Sequence, residues 1–161
     1  MTTAIYPGAF DPITNGHLDI AIRAAKLFKK LTIGVYDIPN KHLLFTAEER
    51  VEMVRRAIAN LPNVTVEFFS GLTVEFAKKV GAQTIVRGLR IRTDFEREFE
   101  MALMNKYLAP DCELVCLITN PKYQFLSSSL LKEVAGLNAN IDELVPKPVV
   151  EALQSKSQTE V

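Results

Sequence analysis

Tryptophan is absent and cysteine nearly so: Cys112 and Cys116 are the only thiols in 161 residues. Both lie in an apolar run that reads as a strand, where four residues span about 13 Å, too far for a bridge. With no histidine nearby they also make a poor zinc site, so core packing in a reducing compartment is expected. Neither sign of charge is in excess, since Lys plus Arg and Asp plus Glu both total 19. A generic nucleic-acid binder carries a basic surplus, so no nucleic-acid partner is expected and any basic site must be local. No stretch approaches the ~20 apolar residues that span a bilayer, and no basic segment followed by a long apolar one opens the chain. The expectation is a soluble, cytoplasmic protein with no membrane partner. Linkers, internal repeats and low-complexity stretches are lacking too, which leaves one domain over residues 1–154 and a polar, frayed tail over 155–161.

What is present favours a packed core, with 48% hydrophobic and 24% charged residues. Short apolar runs at Thr3–Tyr6, Leu31–Tyr36, Val64–Phe68, Thr84–Val86 and Glu113–Ile118 read as buried strands. Helical patterns separate them, at His17–Lys29, Leu72–Val80, Ser128–Val134 and Pro148–Leu153. A capping box, Thr46-Ala47-Glu48-Glu49, opens another helix. Thr93 and Glu96 repeat its spacing before a helix whose Phe95, Phe99, Ala102, Leu103 and Tyr107 share one face. This alternation predicts a single doubly wound α/β domain, a five-stranded parallel sheet with helices on both faces. Such sheets bind ligands beyond the carboxyl ends of their strands, so the segments after the strands are the candidate site.

After the first strand runs Tyr6-Pro7-Gly8-Ala9-Phe10-Asp11-Pro12-Ile13-Thr14-Asn15-Gly16-His17, a long connection for a compact domain. Gly8 lets a phosphate approach the backbone, and Gly16 and His17 stand at a helix start, where free amides and the macrodipole attract anions. The residues alone equally suit a helix capped by Asn15 with His17 as an ordinary first-turn residue. Neither a P-loop nor a Gly-x-Gly-x-x-Gly fingerprint occurs. Arg87-Gly88-Leu89-Arg90 after the fourth strand reads as a flexible, doubly charged turn suited to polyphosphate, or as surface ion-pairing. Ser127, Ser128 and Ser129 at a helix start offer hydroxyls and amides together, where plain capping would need one serine.

Thr14-x-Gly16-His17 resembles the Thr/His-x-Gly-His motif of the nucleotidyltransferase superfamily. The longer string around it is similar to that of the bacterial phosphopantetheine adenylyltransferases. Motifs at Lys41, at Arg87–Arg90 with Asp94–Glu98, and at Tyr123–Val134 continue the resemblance over about residues 3–153. It implies a Rossmann-like fold and in-line transfer of the adenylyl group of ATP to 4′-phosphopantetheine, giving dephospho-coenzyme A and pyrophosphate. Catalytic roles would fall to His17, which stabilises the α-phosphate in the transition state, Lys41 and Arg90. ATP would meet Ala9, Phe10, His17, Gly88, Leu89, Arg90, Glu98, Tyr123, Gln124, Phe125, Leu126 and the three serines. Ala9, Lys41, Thr73 and Arg87 would meet the acceptor. The resemblance also implies Mg²⁺ arriving with ATP, no dedicated protein metal site, a homo-oligomer of hexameric form, and feedback inhibition by coenzyme A. Leu126 stands where the second motif usually has Ile. Ala9 is the sharper departure, because the family has Thr or Ser there. The missing hydroxyl removes a hydrogen bond worth roughly 1.5–3 kcal/mol to a charged group. An adenylyl- or cytidylyltransferase with another acceptor, or a non-catalytic nucleotide-binding homologue, stays open at this point.

Overall fold

The computed structural model describes residues 2–37 and 43–159, and Lys41 and His42 lie outside them. Its strands are β1 (Thr3–Gly8), β2 (Lys30–Tyr36), β3 (Val64–Phe69), β4 (Thr84–Leu89) and β5 (Glu113–Ile118). They form one parallel sheet in the order β3-β2-β1-β4-β5. The connecting helices are α1 (Asn15–Leu27), α2 (Ala47–Ala57), α3 (Thr73–Lys79), α4 (Arg92–Leu108), α5 (Ser128–Gly136) and α6 (Lys147–Thr159).

Alternation along β1 sorts the core. Ala4 and Tyr6 join a large apolar cluster with residues of α1, α2, α5 and α6, whereas Ile5 joins a smaller one with Phe69, Val74, Phe76 and Ile85. In β2, Gly34 leaves room for the stacked rings of Phe69 and Phe76; an added Cβ would stand 2.6 Å from Phe76 and 2.9 Å from Phe69.

The chain reverses its winding direction between β1 and β4, and there the sheet opens. Pairing of these strands covers only Ala4↔Thr84 and Ile5↔Ile85, although β1 continues to Gly8 and β4 to Leu89. A crevice at such a switch point is where an open α/β sheet accepts a ligand. The parting also explains a proline inside a central strand. Pro7 presents its carbonyl to Arg87 of β4 at 2.6 Å, on the side where no ladder bond is due, so its missing N–H costs the sheet nothing.

The expected fold and five strands are present, and the Thr46–Glu49 capping box closes at both ends, at 3.2 and 2.8 Å. Several boundaries differ. Arg87, Gly88 and Leu89 are not a flexible turn but the last residues of β4, paired with Cys116, Leu117 and Ile118. Asn15 does not cap α1; Thr14 does. The helix expected to start from a Thr93–Glu96 box begins at Arg92, and Asp94 supplies the returning carboxylate, while Glu96 pairs with Arg92. Its aromatic stripe is not core, since Phe95, Phe99, Leu103 and Tyr107 are all more than half exposed and α4 buries no residue. The polar segment from Ser155 lies within α6 as far as Thr159.

Candidate active site

A cavity of about 350 Å³ lies over the carboxyl ends of the strands, with walls from the β1–α1 loop, β4, α4 and the start of α5. Its geometry begins at Thr14. The hydroxyl of Thr14 accepts the backbone N–H of His17 at 3.3 Å, and the backbone N–H of Thr14 donates to Nδ1 of His17 at 3.1 Å. This is a capping box with histidine in the place of Glu or Gln. A backbone amide can only donate, so Nδ1 is the bare nitrogen and Nε2 carries the proton. Burial, then the charges of Arg90 and Arg87, push the imidazole down to about 4. At neutral pH the ring is therefore uncharged, with one N–H available at Nε2.

Phe10 braces the ring. It is 3% exposed, with edge-on contacts to His17 at 5.2 Å and to Tyr6 at 5.4 Å. Its backbone takes φ 48°, a conformation that costs a bulky residue energy and is held by its surroundings. Those surroundings include Arg50 on α2, which is 2% exposed and donates through Nη1 to Ala9 O at 2.8 Å and to Tyr36 O at 2.9 Å. Beside it the Asp11 carboxylate accepts the amides of Leu44 and Phe45 at 3.0 and 2.9 Å and pairs with Lys132 of α5.

On the opposite wall Arg87 and Arg90 are both committed. Arg87 donates through Nε and Nη2 to Glu98 at 2.8 and 2.6 Å and through Nη1 to Pro7 O. Arg90 pairs with Asp94 at 3.2 Å and donates through Nη1 to Leu126 O at 3.0 Å, tying β4 to the serine segment. Partial burial raises the carboxyl of Asp94, but hydrogen bonds from Arg90 and Ile91 and the Arg90 charge outweigh that and hold it low. Gly88 admits α1 close to the sheet, since a Cβ there would lie 3.1 Å from Ile20. The three serines divide their labour. Ser127 caps α5 by accepting Leu130 N–H at 3.1 Å, Ser128 donates to Pro12 O at 2.8 Å, and Ser129 keeps a hydroxyl without a partner among the described residues.

Of the residues singled out in the sequence, Ala9, Phe10, His17, Arg87, Gly88, Arg90, Glu98, Tyr123, Leu126 and Ser127–Ser129 line this one cavity. Leu89 is buried at the end of β4, Gln124 and Phe125 face solvent, and Thr73 opens α3; none of these four lines it. Asp11, Arg50, Arg97 and Lys132 were missed. Helical spacing points to three of them: Lys132 follows Ser128 by one turn, Arg97 lies between Asp94 and Glu98 on one face, and Arg50 precedes buried Met53 and Val54 by three and four residues.

The cytidylyltransferase-like family model matches residues 5–134 of the chain. Over nearly its whole length the chain is also similar to curated proteins named phosphopantetheine adenylyltransferase. That of Thermomicrobium roseum is 54% identical over 159 residues, covering 97% of this chain and 95% of the relative. That of Roseiflexus sp. (strain RS-1) is 51% identical over 154 residues, covering 96% of each. That of Herpetosiphon aurantiacus is 49% identical over 159 residues, covering 99% of this chain and 96% of the relative.

Proposed function

The chain belongs to the cytidylyltransferase-like family, among the phosphopantetheine adenylyltransferases, and from that premise we propose how its residues transfer the adenylyl group of ATP to 4′-phosphopantetheine. An oxygen of the acceptor phosphate attacks the α-phosphorus in line, the bond to the bridging β-oxygen breaks, and pyrophosphate leaves with that electron pair. No protein nucleophile is needed, so positioning and charge stabilisation carry the reaction.

The observation that carries this reading is the fixed tautomer of His17, whose Nε2–H is the one ring hydrogen left for a ligand. It donates to an oxygen of the α-phosphate as negative charge grows there. Ser129 and the amides at the start of α5 meet the β- and γ-phosphates, with Arg90 beside them holding the loop through Leu126. Arg87, together with Lys41 as the family resemblance implies, meets the acceptor phosphate, and Ala9 serves it through its backbone amide alone. Nucleotide adenine lies along Tyr123.

Mg²⁺ brought with ATP would supply charge neutralisation at the phosphates, held by substrate oxygens and water. The residues present fit that role and no tighter one. Asp11, Asp94 and Glu98 are each paired with a cation, and no group of three metal-ligating side chains occurs among the described residues. Among the described residues no helix is long and apolar enough to cross a membrane. A cytoplasmic location suits the two free thiols. The exposed apolar row of α4 favours a homo-oligomer, of hexameric form as the family resemblance implies. Coenzyme A carries the acceptor's pantetheine arm and would compete at the same cavity.

Pyrophosphate release tests the reading. ATP with 4′-phosphopantetheine should release it, and ATP with nicotinamide mononucleotide or CTP with either acceptor should not. Release with another pair, or none at all, overturns the assignment.

A further inference from the structure

Charges around the cavity cancel in pairs, with one exception. Arg87 is matched by Glu98, Arg90 by Asp94, and Lys132 by Asp11, each through direct contact. Arg97 also lines the cavity, yet it has no ion pair or hydrogen bond among the described residues. From α4 only Asp94, Arg97 and Glu98 reach the cavity wall, a set spaced as one helical face. The flanking two are occupied by Arg87 of β4 and by Arg90 just after it, so Arg97 stands between two neutralised pairs with its guanidinium unspent. A cavity that admits a triphosphate and a phosphate monoester presents there its surplus positive charge.

The first-loop wall facing it is short of a donor. Ala9, where the family resemblance implies a hydroxyl residue, also lines the cavity and offers no side-chain hydrogen bond. We propose that Arg97 is a further substrate-binding residue, donating its guanidinium hydrogens to a phosphate oxygen of a bound substrate between the Arg87–Glu98 and Arg90–Asp94 pairs. The inference rests on the transferase reading and gives this chain a phosphate contact from α4. A guanidinium suits the task because its planar donors match two phosphate oxygens at once and its charge persists at every working pH.

The test compares Arg97→Gln, Arg97→Lys and the control Arg92→Gln in the full chain. Arg92 is on the same helix, outside the cavity wall, and its side chain is 91% exposed. Calorimetric titration with ATP alone and with 4′-phosphopantetheine alone gives one arm for each phosphate source. For one of the two, Arg97→Gln should weaken binding about tenfold, Arg97→Lys should recover part of it, and Arg92→Gln should stay within about twofold of the parent. In steady-state rates the same variant should raise that substrate's KM with kcat held within about twofold. Unchanged binding of both substrates by Arg97→Gln, or an equal loss in Arg92→Gln, overturns the inference. Failure of the parent chain to release pyrophosphate would instead fell the transferase reading, and the binding titrations would still judge Arg97.

Discussion

At the scale of single residues, the chemistry turns on one imidazole whose proton is assigned by a backbone amide. Thr14 N–H fills Nδ1, so replacing His17 with Ala removes a donor made useful mainly in the transition state. We expect kcat to fall about 10²–10³-fold with little change in either KM, read from initial rates of pyrophosphate release. Because the ring is pushed down to about 4, it is already neutral at pH 6, and kcat should show no His17-dependent step between about pH 6 and 8. The sign for stability follows from the same shift. The unfolded chain holds this proton near the ordinary value of about 6.5 and the folded chain only near 4, so acidification through that window favours unfolding. Urea midpoints of the parent should fall more steeply than those of His17→Gln between those pH values. Ala9 invites the opposite experiment: Ala9→Thr restores a hydroxyl at the first loop and should lower the acceptor KM about tenfold.

Elements show why some of this was legible and some was not. Thr46–Glu49 and the serine helix start announce themselves because helix ends need local partners that sit close in sequence, whereas at α1 Asn15 looked as good a cap as Thr14, which holds it. Arg50 does not, because its partners, the carbonyls of Ala9 and Tyr36, are far along the chain. A buried arginine in an otherwise amphipathic helix is the only trace it leaves. Arg50→Met should cost roughly 2–4 kcal/mol in chemical denaturation, since two carbonyls lose their donor. β4 was read too short for a related reason: arginines and a glycine look like a turn until a fifth strand is set beside them. Gly34 makes a complementary case in β2, where an alanine would press on the Phe69–Phe76 stack and should destabilise by about 1–3 kcal/mol.

For the molecule as a whole, sequence patterning pointed to the parallel sheet and the edge where ligands bind, and it set the apolar residues of α4 on one face without saying what covers them. Only the fold reveals that Phe99 and Tyr107 stay more than half exposed among the described residues. If that face joins copies of the chain, Phe99→Glu with Tyr107→Glu should shift sedimentation from the assembly to the single chain. The unpaired upper ends of β1 and β4 carry a last consequence. Two halves of the sheet meet there like a zip stopped midway, joined above the stop by the Arg87 clasp on Pro7. Nucleotide seated in that gap touches both halves at once, so saturation with substrates should slow amide exchange in Tyr6–Gly8 and Arg87–Leu89 together, while the fully paired β2–β3 side stays as it was.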